Sequence, residues 1–417
     1  MFENVLHQSA TDLLSDDIVK NSLPPSILLA GPAGSGKLTT ALELARILSC
    51  TNTNSKGAWN CTCQACSKHK AMVNQSLLLC GPSSRTLEIA AAKATLLSQN
   101  ANATSHVEAS RYLYLRAVRK LTLRFSPILW EGEDKLSKFS PILQTIDENL
   151  EFLEPKRTLP SAEDLGKILD EIEKQTAKLE STYLYQSLPV SQIRNISSWA
   201  HLSSTSGKKV VIIENAEKMA DSPRNALLKI LEEPPADVLF VLTTEQRGAI
   251  LPTILSRVRT YNFFNRTKEQ QQEVINRVFH YDSVYRGKTV PDSINDFLQI
   301  YLPVHPSTIK ANAESFFKTA AQGHVPDIPA IVSSCGNFDI KALFKLFIED
   351  LISFHAPLAN SAQGSSASSM LMDTFRKIYN DVILYRQKPA SALEELTREI
   401  LHINRMHGGI LRETFNE

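Results

Sequence analysis

Gly31-Pro-Ala-Gly-Ser-Gly-Lys-Leu-Thr39 follows the short apolar run Ser26-Ile-Leu-Leu-Ala30 and leads into an apolar-periodic stretch from Thr39 to Leu48. The order strand, glycine turn, helix predicts a phosphate-binding loop in an α/β domain with a parallel sheet. Glycines at 31, 34 and 36 let backbone N–H groups curl around an anion, the helix N-terminus adds its dipole, and Lys37 reaches the terminal phosphates. The pattern ordinarily continues with Ser or Thr, whose hydroxyl ligates Mg²⁺. Leu38 has no oxygen to give, and Thr39 is rotated by about 100° around the helix. Nucleotide binding through Gly31, Gly34, Gly36, Lys37 and Thr39 is therefore expected, with ATP/Mg²⁺ as the ligand. Hydrolysis is not expected to follow from binding.

At 417 residues the chain exceeds one ordinary domain, and 43% hydrophobic content supplies ample core material. A formal net charge of +1 excludes a globally basic nucleic-acid binder. No apolar run approaches a membrane span, and the first residues lack a basic region followed by an apolar core, so a cytoplasmic protein without membrane contact is expected.

Four of the six cysteines, Cys50, Cys61, Cys63 and Cys66, crowd into the polar stretch after the predicted helix. In a reducing compartment such clustering points to metal, and the four could form a structural Zn²⁺ site. Cys63-x-x-Cys66 has good ligand spacing; the one-residue spacer of Cys61-x-Cys63 strains chelation, and His69 could replace one ligand. The alternative is a loop of free thiols.

A second dense region lies at 208–262. Lys209-Val-Val-Ile-Ile213 reads as a buried strand ending in Glu214-Asn215-Ala-Glu217, and Asp237 to Thr244 reads as another. In phosphate-loop ATPases such a strand ends in one carboxylate that holds Mg²⁺ through water and often a second that polarises the attacking water. Glu214 retains the first, whereas Asn215 cannot accept a proton. Asp221 to Pro235 reads as an Asp-capped helix stopped by paired prolines.

Asn225-Ala-Leu-Leu-Lys229, Leu231-Glu-Glu-Pro-Pro235, Thr243-Thr244 and Ile254-Leu-Ser-Arg257 occur in one order. Together they resemble the bacterial clamp-loader subunits of DNA polymerase III, in the AAA+ superfamily. Leu188 to Trp199, the cysteine cluster and Leu6-His7-Gln8 agree with this resemblance. It implies an AAA+ domain over 1–262, with a zinc module at about 50–66 and a helical insertion at about 100–182. A helical lid would follow over 263–330 and a helical collar for oligomerisation over 331–417. It adds Glu214 and Thr244 to the nucleotide-binding set and makes Arg257 a finger acting in trans on a neighbour's ATP. Leu38, Glu214 and Asn215 resemble the eroded delta-prime kind of subunit; the alternative is the gamma/tau motor kind. The implied partners are gamma/tau and delta subunits in a heteropentamer, and through them the sliding clamp and primer-template DNA.

Elsewhere, Leu165, Ile168, Leu169, Ile172 and Leu179 mark an amphipathic helix. Arg111 to Arg124 reads as a basic helix whose cations form a solvated face, with DNA contact as the sharper possibility. Ala359 to Ser369 reads as a flexible low-complexity loop.

Overall fold

The computed structural model describes residues 1–155, 157–202, 208–284 and 289–415. Lys156, within the segment read as an insertion, residues 285–288, within the segment read as a lid, and the last two residues of the expected collar lie outside the described residues. The chain divides into two compact units, Met1–Leu298 and Gln299–Glu417. The reading above drew its boundaries at 262 and 330. Among the described residues no helix is long and apolar enough to cross a membrane.

The first unit is built on five parallel strands: β1 Ser26–Ala30, β2 Leu77–Cys80, β3 Lys209–Ile213, β4 Val238–Thr244 and β5 Arg259–Asn262, in the order β2-β3-β4-β1-β5. Parallel strands need crossovers, and the helices supplying them are α2 Lys37–Ser49, α3 Gln64–Lys70, α4 Thr86–Ala101, α5 Val107–Thr122, α6 Lys135–Glu151, α7 Ala162–Tyr183, α8 Val190–His201, α9 Asp221–Glu232 and α10 Pro252–Leu255; α1 Ala10–Val19 precedes β1 and α11 Lys268–Phe279 follows β5. β1 to β4 are wholly buried, whereas the edge strand β5 buries only Tyr261, and the apolar residues of the four buried strands divide between two cores by strict alternation. Ile27, Leu29, Leu77, Leu79, Ile212 and Val241 pack with α1 and α2 on one face. Leu28, Leu78, Val211, Ile213, Phe240 and Leu242 pack on the other with α4, α5, α6 and α7.

The 100–182 segment is thus half of the sheet's cover. Trp130 stacks on Phe125 and Tyr185 and meets Phe139 edge-on, while its indole N–H donates to the Arg124 carbonyl at 2.8 Å. Leu165, Leu169, Ile172 and Leu179 line the buried side of α7, and Ile168 is partly buried beside them. The solvated-face reading of the basic helix is corrected: Arg111 donates to the carbonyls of Leu153, Glu154 and Arg157, Arg116 to those of His69 and Lys70, and Arg119 to that of Ala71. These guanidiniums close carbonyls left open where chain segments end, a use that helical periodicity alone does not reveal. The helix after 220 begins with Ala220 at the N-cap position, and Asp221 sits in its first turn paired with Arg224.

The second unit is helical. After the short α12 Tyr281–Val284 and α13 Ile294–Gln299, which precede or straddle the boundary, come α14 Pro306–Ala321, α15 Ile328–Ser334, α16 Lys341–His355, α17 Ala362–Ile383, α18 Pro389–Met406 and α19 Ile410–Thr414. Phe316, Phe317, Phe344, Phe347, Leu371, Phe375, Leu396 and Ile400 form its interior. The expected loop at 359–369 is largely helix. Ser361 accepts the Gly364 amide as a cap, and a Cβ at Gly364 would lie 2.0 Å from the Leu358 carbonyl oxygen, so glycine permits the close approach that starts α17. Ala367 and Leu371 then bury the helical stripe hidden in the small-residue composition.

Candidate functional site

The glycine loop joins β1 to α2. Gly31 donates its amide to the Thr244 carbonyl at 3.1 Å, and a Cβ there would lie 2.4 Å from the Phe263 carbonyl oxygen. Gly34 and Gly36 have φ of +69° and +97°, the left-handed region that favours glycine. Lys37 opens α2 with only 8% of its surface exposed, and its ammonium donates to the carbonyls of Gly31 and Pro32, each at 2.6 Å. Burial lowers its pKa, while the carboxylates of Glu245, Glu217 and Glu214 act in the opposite direction. Arg266 braces the loop from outside, donating to the Gly34 carbonyl at 2.8 Å and to that of Leu6. Gln8 makes paired hydrogen bonds with the backbone of Phe264. Leu38 packs at the margin of the core under the sheet, Thr39 is half-buried, and Thr40 turns its hydroxyl back to the Gly36 carbonyl.

At the end of β3, Glu214 is 6% exposed and already neutralised. Arg85 donates to its Oε1 at 2.6 Å and Arg124 to its Oε2. Burial pushes the carboxyl up, but the two guanidiniums outweigh it and hold its pKa below the ordinary range. The network extends: Arg85 and Lys120 both bind Glu88, bringing its carboxyl down to about 2 against the pull of burial. Glu180 of α7 accepts the Arg85 amide at 2.7 Å and the Thr86 hydroxyl, placing an anion at the N-terminus of α4. Sequence reasoning missed Arg85, Glu88, Lys120 and Arg124 here. The partners of Glu214 lie 129 and 90 residues away, and no local pattern joins them.

Asn215 adopts φ +52° and donates its side-chain amide to Ser83, while its backbone N–H donates to Thr243 Oγ1. Thr244 is fully buried, its hydroxyl accepting the Gln246 amide. Glu217 accepts the Glu245 amide on Oε1; its buried Oε2 has no hydrogen-bond partner among the described residues.

Arg257 follows α10 and stands apart from this cluster in character. It is partly exposed, donating to the Thr253 carbonyl and, at 2.6 Å, to Glu232, whose side chain is half exposed. An exposed pair of this kind is worth about 0–1 kcal/mol.

Cys50 caps the end of α2, Cys61 lies in the following loop, and Cys63 and Cys66 flank the start of α3. Their four Sγ atoms lie within 4.8 Å of one another, with Cys50 and Cys61 3.8 Å apart. Four thiolates on one tetrahedral Zn²⁺, with Zn–S of about 2.3 Å, would have sulfurs roughly 3.8 Å apart. The set fits a metal, and the short Cys61-x-Cys63 spacer does not keep the two sulfurs from converging. His69 stands outside it, its ring nitrogen bonded to Ser49 Oγ at 3.0 Å. Burial, Arg46 and Arg116 lower its pKa to about 4.

A glycine loop between an interior parallel strand and its helix, with an acidic residue ending the neighbouring strand but one, defines a P-loop α/β domain of AAA+ type. The chain belongs to the family described as DNA polymerase III, delta subunit, whose model matches residues 6–125 and 141–267. That match takes in much of the segment read as an insertion and leaves out 126–140. A DNA polymerase III subunit delta' from Haemophilus influenzae is 38% identical over 74 residues, 18% of this chain and 23% of the relative. Its Bacillus subtilis counterpart is 48% identical over 58 residues, 14% and 18% of the two chains. A gamma/tau subunit from Mycobacterium bovis is 42% identical over 55 residues, 13% and 10%. The aligned stretches thus span about a quarter or less of each relative's length. A solved gamma subunit-related protein from Thermotoga maritima aligns over 55% of this chain and 90% of its own at 16% identity, with a TM-score of 0.26.

Proposed function

We propose that this chain is a clamp-loader subunit of the delta-prime kind, a scaffold and arginine-finger donor that does not itself turn over ATP. The observation that carries the reading is the state of Glu214. The carboxylate that would hold Mg²⁺ is instead bound by Arg85 and Arg124, and Leu38 supplies no hydroxyl. These residues do not fit a magnesium ion. The anion cradle of Gly31, Gly34, Gly36 and Lys37, with Thr39 and Thr244 beside it, can still receive phosphates once Lys37 leaves the loop carbonyls.

Arg257 is then the residue that acts on chemistry, in the ATP site of a neighbouring gamma/tau subunit. Its weak surface pair with Glu232 leaves it available for an incoming phosphate. The helical segments 263–330 and 331–417 serve as lid and oligomerisation collar, and Cys50, Cys61, Cys63 and Cys66 hold a structural Zn²⁺, which when bound cross-links α2 to α3. Within a cytoplasmic heteropentamer with gamma/tau and delta subunits, the chain would help place the sliding clamp on primed DNA. Reconstitution with those subunits tests this: Arg257→Ala should let the complex assemble yet depress its ATP turnover, and unchanged turnover would remove the finger role.

The second reading, a motor ATPase of gamma/tau type, draws on Glu217, whose buried Oε2 accepts no hydrogen bond among the described residues and is a carboxylate oxygen that would polarise a water. It requires that Glu217→Gln abolish a turnover measurable in the isolated chain.

A further inference from the structure

Arg46 lies one turn before Cys50 on the P-loop helix, and its side chain is 1% exposed. A guanidinium has five N–H donors in a fixed plane. Here each finds an acceptor. Nε and Nη2 bind Glu43, Nη2 also reaches the Gly57 carbonyl at 2.6 Å, and Nη1 donates to the Ala58 carbonyl at 3.0 Å and to Cys66 Sγ at 3.2 Å. Glu43 is equally buried and comes from the same helix, so the fork is fixed from behind by α2 and projects forward into the cysteine loop. Trp59 of that loop lies under the guanidinium at 5.5 Å, with the Lys70 ammonium 5.1 Å from the same ring. Lys70 in turn donates to the Cys61 carbonyl at 2.9 Å.

We propose that Arg46 is the positioning residue of the four-cysteine centre, donating to the Cys66 sulfur and clamping the loop carbonyls so that a bound Zn²⁺ is released slowly. The inference rests on the reading of the four cysteines as a zinc site. Its physical basis is charge. Zn²⁺ with four thiolates carries a net charge of −2, and burying such a group is tolerable only with hydrogen-bond donors and a cation nearby. Arg46 supplies both at Cys66, the most deeply buried of the four. The Glu43 carboxylate holds the guanidinium in register, in the way outer partners orient ligands at other metal sites. Because Arg46 and Cys50 share one helix, the same rigid element provides a ligand and the donor to the ligand opposite.

The test uses the full chain loaded with one Zn²⁺, and follows metal transfer to the chromogenic chelator 4-(2-pyridylazo)resorcinol at neutral pH. Arg46→Met keeps the apolar stem and removes every donor; it should accelerate release by about 10–100-fold, matching the loss of metal affinity found when hydrogen-bond partners of metal ligands are removed. Arg46→Lys, with a point charge but no fork, should fall between. In Co²⁺-loaded protein, Arg46→Met should also shift the thiolate-to-cobalt charge-transfer band, a readout that simple loosening of the fold would not move. An unchanged release rate and band in a folded, loaded variant would overturn the proposal while leaving the zinc site intact. Failure of the wild-type chain to hold zinc would instead remove the site. Should Arg46→Met not fold, Glu43→Gln loosens the fork without touching the sulfur bond; its release should accelerate several-fold, and wild-type kinetics would also overturn the proposal.

Discussion

Two ends of the P-loop unit use charge in opposite ways. Around β3 and the glycine loop, the buried Glu214, Arg124 and Lys37 and the partly buried Arg85, Glu88 and Lys120 bind one another or carbonyls. Beyond β4, Arg257 follows a short helix, bonded to its Thr253 carbonyl and ion-paired at the surface with Glu232. The first arrangement ties both carboxylates to cations and holds Lys37 on loop carbonyls, leaving little room for the changes of charge that accompany metal binding and phosphoryl transfer. The second keeps a cation where a neighbouring molecule can reach it. A chain that has lost its own chemistry but lends an arginine would divide its charges in this way.

Breaking the buried side should cost the most. Arg124→Met leaves Glu214 half-paired in the interior, and removal of one partner from a buried pair typically costs about 3–5 kcal/mol; urea unfolding of the P-loop unit should show a loss of that order. Equal stability would mean that water already reaches the carboxylate. Acid should act on the same network. Glu88 has a folded pKa of about 2 against an ordinary 4.5, so its contribution is fully present above pH 4.5 and is lost as pH falls from there through 2. That contribution is at most about 3 kcal/mol, and Glu88→Gln should flatten the decline in thermal midpoint across this interval. Opening the exposed side should cost least. Glu232→Ala frees Arg257 at an expected loss below about 1 kcal/mol, measurable in the same urea titration; a larger loss would show that the pair is structural and that the arginine is not held ready for a neighbour.

Legibility in the sequence followed the range of each interaction. The strands β1, β3 and β4 and the glycine loop were readable because apolar runs and glycines act within a few residues. The cysteine cluster was readable for the same reason, although convergence of Cys61 and Cys63 needed the loop's actual path. Neutralisation of Glu214 was not, since Arg124 arrives from the end of α5 and Arg85 from the turn after β2. The basic helix looked solvated because periodicity reports which face is apolar, not which carbonyls lie opposite a cation. The serine-rich start of α17 looked like a linker because its composition hides Ser361 as a cap and Gly364 as a point of close approach.

If the nucleotide side of this chain is chemically idle, as proposed, ATP turnover by the isolated, purified chain will show it. Turnover indistinguishable from the uncatalysed background, and the same in Lys37→Ala, is the predicted result. Robust Mg²⁺-dependent hydrolysis that disappears in Lys37→Ala would contradict it and make this chain a motor.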